Sequence, residues 1–179
     1  MIETLISSKT RIKLLIKFFL NSSNTAYLRN LEEEFGESTN GIRLELNKFE
    51  KAGFLDSFFE GNKKIFKANT KHPLFEDINR ILMKMVGVEY VMEYILQRVG
   101  DLDKIYLTGK LAKGQNADTI DLILIGSNLN EEFLIEQIQK AEKKIKKKIH
   151  CDIFSSDKFE KDTLKEQGTK PLLLWSKQS

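Results

Sequence analysis

The strongest constraint on the fold is the run Ser38-Thr-Asn-Gly-Ile-Arg-Leu-Glu-Leu-Asn-Lys-Phe-Glu-Lys-Ala-Gly-Phe-Leu55 and the short hairpin signal behind it. Ser38 or Thr39 can cap a helix by accepting a hydrogen bond from a first-turn N–H group that lacks a helical partner. Ile42, Leu46 and Phe49 recur at 4- and 3-residue intervals and line one buried face. Asn40, Gly41, Arg43, Leu44, Asn47 and Lys48 fall on the other faces. Gly53 suits the left-handed residue just past a helix end. Beyond it, Leu55–Glu60 and Lys64–Ala68 are β-prone runs flanking Gly61-Asn62-Lys63, which predicts a hairpin.

The residues before this run supply two more helices. Ser8 to Leu20 carries an amphipathic stripe of Ile12, Leu15, Ile16, Phe19 and Leu20. Asn24 or Thr25 can cap a second helix through Phe35, with Leu28, Leu31 and Phe35 inward. Gly36 ends it, and Glu37 and Ser38 turn the chain into the third. Three helices and a hairpin in this order make a winged helix-turn-helix. Phe58 and Phe59 face opposite ways on a strand, so one of them is expected in the core.

Residues from about 8 to 87 resemble the winged-helix regulators of the arsenical-repressor-like class. The stretch AYLRNLEEEFGESTNGIRLELNKFEKAGFL is similar to their second and third helices, and FFEGNKKIFKANTKHPLF to their wing and exit segment. The resemblance implies a transcriptional regulator that binds double-stranded DNA as a homodimer on palindromic sites. Its candidate DNA-binding residues here are Ser38, Thr39, Asn40, Arg43, Asn47 and Lys48 on the helix, with Lys63, Lys64 and Lys67 on the wing. Asn can pair bidentately with adenine and Arg with guanine in the major groove. Ser38 and Thr39 can bond a phosphate at the helix N-terminus, although capping explains them equally well. The plain alternative for all nine is a solvated helix face and a hairpin kept soluble by lysines.

Length and charge fit this reading without deciding it. A chain of 179 residues allows one large domain or two small ones. No apolar run approaches the roughly 20 residues that span a bilayer, no secretory signal precedes the first helix, and the single Cys151 fits a reducing compartment. A cytoplasmic protein without a membrane partner is expected. Residues 1–87 hold 14 Lys/Arg against 11 Asp/Glu, whereas residues 88–179 hold 15 of each, so the net charge of +3 sits wholly in the first half.

The second half carries a different pattern. Lys71-His72-Pro73 marks the exit from the wing. From Leu74 to Gly100 the periodicity is helical, with Gly87 dividing two helices. Lys104–Leu107 and Thr119–Ile125 read as strands joined by a Gly- and Lys-containing turn. Asn130 can cap a helix through about Lys148, followed by a strand at Ile149–Ser155, a short helix at Phe159–Gln167 and a docked tail at Pro171–Trp175. The basic run Lys143–Lys148 falls on the last turns of the long helix, where cations complement the helix dipole.

The segment from Ile105 to Gly126 resembles the minimal nucleotidyltransferases. That family has Gly-Ser after its first strand, Asp-x-Asp on its second and a further carboxylate on its third. Asp residues two apart on a strand project to one side and can hold Mg²⁺ against a triphosphate. Here Gly109 and Gly114 keep the turn, but Lys110 stands where the Ser belongs. Asp121 matches the second Asp, Thr119 occupies the position of the first, and Asp118 points to the opposite side. Asp152 is the candidate third carboxylate. The resemblance therefore implies a degenerate nucleotide site of Gly109, Lys110, Asp121 and Asp152, with no catalytic residue, metal or cofactor. His72 and His150 are far apart in sequence with only Cys151 beside them, which makes a zinc site unexpected.

The expected fold class is α+β: a winged helix-turn-helix over residues 1–72, a helical connector over 73–100, and a small α/β nucleotidyltransferase-like domain over 101–179. The expected function is sequence-specific regulation of transcription, with the second domain kept as a sensor, scaffold or dimerisation platform. A small-molecule or nucleotide effector can occupy its cleft without chemistry. The alternative is a metal-dependent nucleotidyltransferase acting on a protein or small molecule. Asp121 and Asp152 would then hold Mg²⁺, and a local bulge would bring Asp118 into the missing position.

Overall fold

The computed structural model describes residues 6–96, 99–156 and 171–177. It is a mixed α+β chain in two compact units, Met1–Leu82 and Met83–Ser179. The short helix expected at Phe159–Gln167 lies outside the described residues.

In the first unit, α1 (Lys9–Leu15) is capped by Ser8, whose hydroxyl accepts from the Arg11 N–H, and continues into a π-helical turn over Ile16–Leu20. The wider turn breaks the simple 3.6-residue stripe, so Leu14 and Phe18 join Ile12, Ile16, Phe19 and Leu20 in the core while Leu15 is only half-buried. Helix ends leave carbonyls unpaired. Here the Asn79 amide donates to the Phe19 and Leu20 carbonyls at 2.7 and 3.1 Å. Phe19 packs edge-on to Phe54 and beside Phe75, and Phe54 also meets Phe49 and His72. Burial of Phe19 and Phe49 contributes roughly 1.5–3 kcal/mol each.

The expected cap of the second helix is corrected. Thr25–Tyr27 is a strand, β1, paired antiparallel to β3 (Lys63–Ala68), so α2 (Leu28–Phe35) starts after Tyr27 without a side-chain cap. Asn24 instead is buried and donates its amide to the Lys17 carbonyl at 3.1 Å. The gain is a ladder whose partner lies some forty residues away, which local capping rules do not register.

Helix α3 (Thr39–Lys51) follows the expected pattern. The Ser38 hydroxyl accepts from the Gly41 N–H at 3.3 Å, and Ile42, Leu46 and Phe49 are buried. Gly53 takes φ +77°, letting the Phe54 N–H reach back to the Phe49 carbonyl at 2.9 Å. Strand β2 (Leu55–Glu60) then pairs with β3 from Leu55↔Ala68 to Glu60↔Lys63, giving the order β1-β3-β2. Neither Phe58 nor Phe59 is core: they are 37% and 72% exposed. Alternation along the strand thus brings neither ring under cover.

Helix α4 (Phe75–Val86) ends at Gly87, and α5 (Val88–Ile95) follows. In the second unit the sheet order is β6-β5-β4-β7, from β4 (Asp101–Leu107), β5 (Thr119–Ser127), β6 (Lys148–Phe154) and β7 (Leu172–Ser176). The expected docked tail is thus an edge strand, antiparallel to β4. Between β4 and β5 lies one helical turn, α6 (Gly109–Ala112). Helix α7 (Glu131–Ile145) is capped by Asn130, which accepts from the Phe133 N–H at 3.0 Å, and packs with α5. It stops three residues earlier than expected because Lys146 turns left-handed at φ 56° and feeds β6.

Candidate functional site

Two places in the fold bring together the chemistry flagged by the sequence, one in each unit. In the first, Asn40, Arg43, Asn47 and Lys48 are exposed on the face of α3 opposite its buried stripe. Arg43, Asn47 and Thr39 border a groove of about 370 Å³ whose other wall is the hairpin, through Asn62, Lys63 and Lys64. Tyr27 and Arg29, which sequence reasoning missed, close the groove from β1 and the start of α2. Their contribution depends on β1 pairing with β3, so no local pattern pointed to them.

The cations around this groove are not equally free. Lys48 donates to Glu45 at 2.9 Å, and Lys64 donates to Glu50 at 2.7 Å. Ser57 also hydrogen-bonds Glu50. The Lys64 and Ser57 hydrogen bonds hold the Glu50 carboxyl below its ordinary range, and this cluster links α3 to the hairpin. Lys63 sits 4.6 Å over the Tyr27 ring, which keeps its ammonium at the rim. Lys67 shares the strand face of Lys63 and lies 5.7 Å over Phe58, outside the groove lining. Arg43 makes no hydrogen bond or ion pair among the described residues. Ser38 is occupied with its cap.

Glu45 was also missed. It is nearly buried on α3, and its carboxylate accepts from Arg11 Nε at 2.9 Å and Nη2 at 3.3 Å. A charged residue in the apolar stripe is worth a look in any sequence, because burial demands a partner.

The second place is a cleft of about 510 Å³ lined by Thr108, Gly109, Lys113, Asp121, Leu122, His150 and Asp152. Strands β5 and β6 are parallel, with Asp121 opposite His150 and Ile123 opposite Asp152. Asp121, His150 and Asp152 therefore share one sheet face. Gly109, at φ +65°, packs so closely under Asp121 that a Cβ there would overlap the carboxylate oxygen. The Asp121 carboxylate meets His150 Nδ1 at 3.1 Å. Lys110 is exposed and outside the lining, and Lys113 borders the cleft instead. The pairing of β5 with β6 runs without a bulge from Thr119 to Ile125, and the Asp118 carbonyl accepts from the Lys148 N–H at 3.1 Å.

The donor set differs from the carboxylate arrangement that the nucleotidyltransferase resemblance implies. One Asp121 oxygen is engaged by an imidazole, Thr119 stands two residues before it, and no cluster of three His, Cys, Asp or Glu ligands exists among the described residues. Magnesium sites instead use carboxylates and waters in a near-octahedral shell.

Elsewhere the flagged groups have structural work. Lys147 donates to the Ala117 carbonyl at 2.8 Å, and desolvation lowers its pKa although Asp118 opposes this. Cys151 is half-buried, and burial together with Asp152 pushes its thiol up to about 12. No described helix is long and apolar enough to cross a membrane.

No family model matches the chain, and no curated protein matches it. Solved structures similar over about half of it include the following two. Reduced HlyU from Vibrio cholerae N16961 shares 11% identity at a TM-score of 0.38, covering 47% of this chain and 83% of that one. AF1382 from Archaeoglobus fulgidus shares 19% identity at a TM-score of 0.39, covering 48% of this chain and 97% of that one. Likenesses this slight leave the functional reading to the geometry.

Proposed function

We propose that the chain is a sequence-specific duplex-DNA-binding regulator of transcription, with a winged helix-turn-helix first and an inactive nucleotidyltransferase-like unit second. The observation that carries the reading is the juxtaposition of an exposed Asn40-Arg43-Asn47 face on α3 with the cationic hairpin across one groove. Arg43 and the two asparagines have the donors and acceptors that read base edges in a major groove. Lys63 and Lys67 on the hairpin, with Arg29 at the start of α2, can neutralise phosphates. A homodimer belongs to this proposal, since a two-fold protein matches a palindromic site. Ile81 on α4 and Leu74 just before it, both half exposed, are the candidate apolar seam for such a dimer.

The test is selection of fragmented genomic DNA by the purified protein, followed by sequencing of the retained fragments. Enrichment of a shared motif supports a regulator and reveals its targets. Retention of nothing, or of every fragment equally, contradicts it.

A second reading, metal-dependent nucleotidyl transfer, draws on the shared sheet face of Asp121 and Asp152. Incubation with labelled triphosphates and Mg²⁺ or Mn²⁺ separates the two. The regulator reading expects no label on the protein itself or on any lysate component.

A further inference from the structure

Phosphates and base edges account for the cationic rim of the first-unit groove, but not for what lies beneath it. Its apolar lining, taken as the floor, is Leu28 and the Tyr27 ring, backed by the largely buried Leu46 and Phe66. We infer that the groove is a binding site for a planar aromatic monoanion, whose ring lies on this floor while its carboxylate or sulfonate meets the rim.

Charge complementarity selects the anion. Arg29, Arg43, Lys63 and Lys64 all border the groove, and no carboxylate does. Lys64 is neutralised by Glu50, and Arg29 lies 3.7 Å from Glu33. Arg43 and Lys63 are therefore the principal uncompensated charges, one on the helix wall and one on the hairpin wall. Lys63 is already held over an aromatic ring at 4.6 Å, which shows that this rim accommodates a cation stacked on a π face. The volume of about 370 Å³ lies within the usual range for small-ligand sites. A neutral apolar ligand would leave the rim unused, and an inorganic anion would leave the floor wet.

Such a ligand would cover Arg43 and Asn47, so occupancy and DNA binding exclude one another. This second half rests on the proposed DNA-binding function; the site itself does not. Regulation would then be direct competition, with no movement transmitted through the fold.

The experiment uses the full chain and two fluorescent probes, 1-anilinonaphthalene-8-sulfonate and its uncharged analogue N-phenyl-1-naphthylamine. The anionic probe is expected to bind at one site and to shift amide NMR signals of Tyr27–Arg29, Thr39–Asn47 and Asn62–Phe66. The neutral analogue should bind at least about fivefold more weakly, and Lys63→Ala should weaken the anion by a similar factor, as loss of one partly screened charge implies. Lys63 is exposed on the hairpin, so truncating it leaves the fold intact. Lys144→Ala, on α7, should change nothing. Equal binding of both probes, shifts located elsewhere, or an unaltered Lys63→Ala variant overturns the site. Duplex DNA carrying the selected motif should displace the anion, and simultaneous binding of both overturns the competition. If the protein retains no DNA, the regulator reading fails, while the probe and variant results still decide the site.

Discussion

The Arg11 guanidinium on α1 and the Glu45 carboxylate on α3 meet through two hydrogen bonds, 2.9 and 3.3 Å long, and so fix the proposed recognition helix from beneath. The Arg11 hydrogen bonds hold the Glu45 carboxyl below its ordinary 4.5 against the opposing effect of burial, and Lys48 adds to them. Glu37 is lowered as well: burial pushes it up, but hydrogen bonds from Lys13 and Thr10 outweigh this.

A carboxyl with a depressed folded-state pKa stabilises the fold above its unfolded value and loses that contribution as pH falls through the folded one. Glu37, Glu45 and Glu50 all lie in the first unit and all shift downward. Its stability should therefore be flat near neutrality and drop below about pH 4.5. Urea midpoints between pH 7 and pH 3 check this. Glu45→Gln should cost about 1 kcal/mol at pH 7 and flatten the acid limb, a modest figure because Arg11 is 39% exposed. An unchanged midpoint would show that the pair is merely incidental.

Gly109→Ala should destabilise the second unit by about 2 kcal/mol or more, through a left-handed backbone and overlap with Asp121. Asp121→Ala removes the overlapping carboxylate but not the backbone strain. The double variant should thus be more stable than the sum of the single losses predicts. Strict additivity in thermal denaturation would contradict the close packing.

Cys151 should resist alkylation in the native protein. With its thiol pushed up to about 12, against an ordinary 9.0, the thiolate fraction at pH 8 falls about a thousandfold. Iodoacetamide labelling, followed by mass, should be slow in buffer and fast in urea. Rapid native labelling would mean that the strand opens or that the burial is wrong.

What the sequence made legible was whatever rests on near neighbours. Ser38, Gly53, Gly87 and Asn130 mark helix ends because caps and left-handed turns are decided within a few residues. The Ile42-Leu46-Phe49 stripe is a property of one helix. What stayed hidden depends on distant partners. Thr25–Tyr27 becomes a strand only because β3 is there to receive it, and Leu172–Ser176 because β4 has a free edge. The contact of His150 with Asp121 requires the parallel register of β5 and β6, which no spacing along the chain encodes. Phe58 and Phe59 invert a sound rule: alternation assigns opposite faces, but it does not say whether anything covers either.

The most direct test of the central claim is a fluorescence anisotropy titration of a duplex carrying the selected motif, against wild type, Arg43→Ala and the α7 control Lys144→Ala. The titration is repeated at two salt concentrations and on a random duplex. Wild type should prefer the motif, and added salt should weaken binding to both duplexes. Arg43→Ala should lose about tenfold on the motif, with a smaller loss on random DNA, as removal of a base contact implies. Arg43→Ala binding as well as wild type, or wild type binding both duplexes alike, would contradict α3 as the surface that reads DNA.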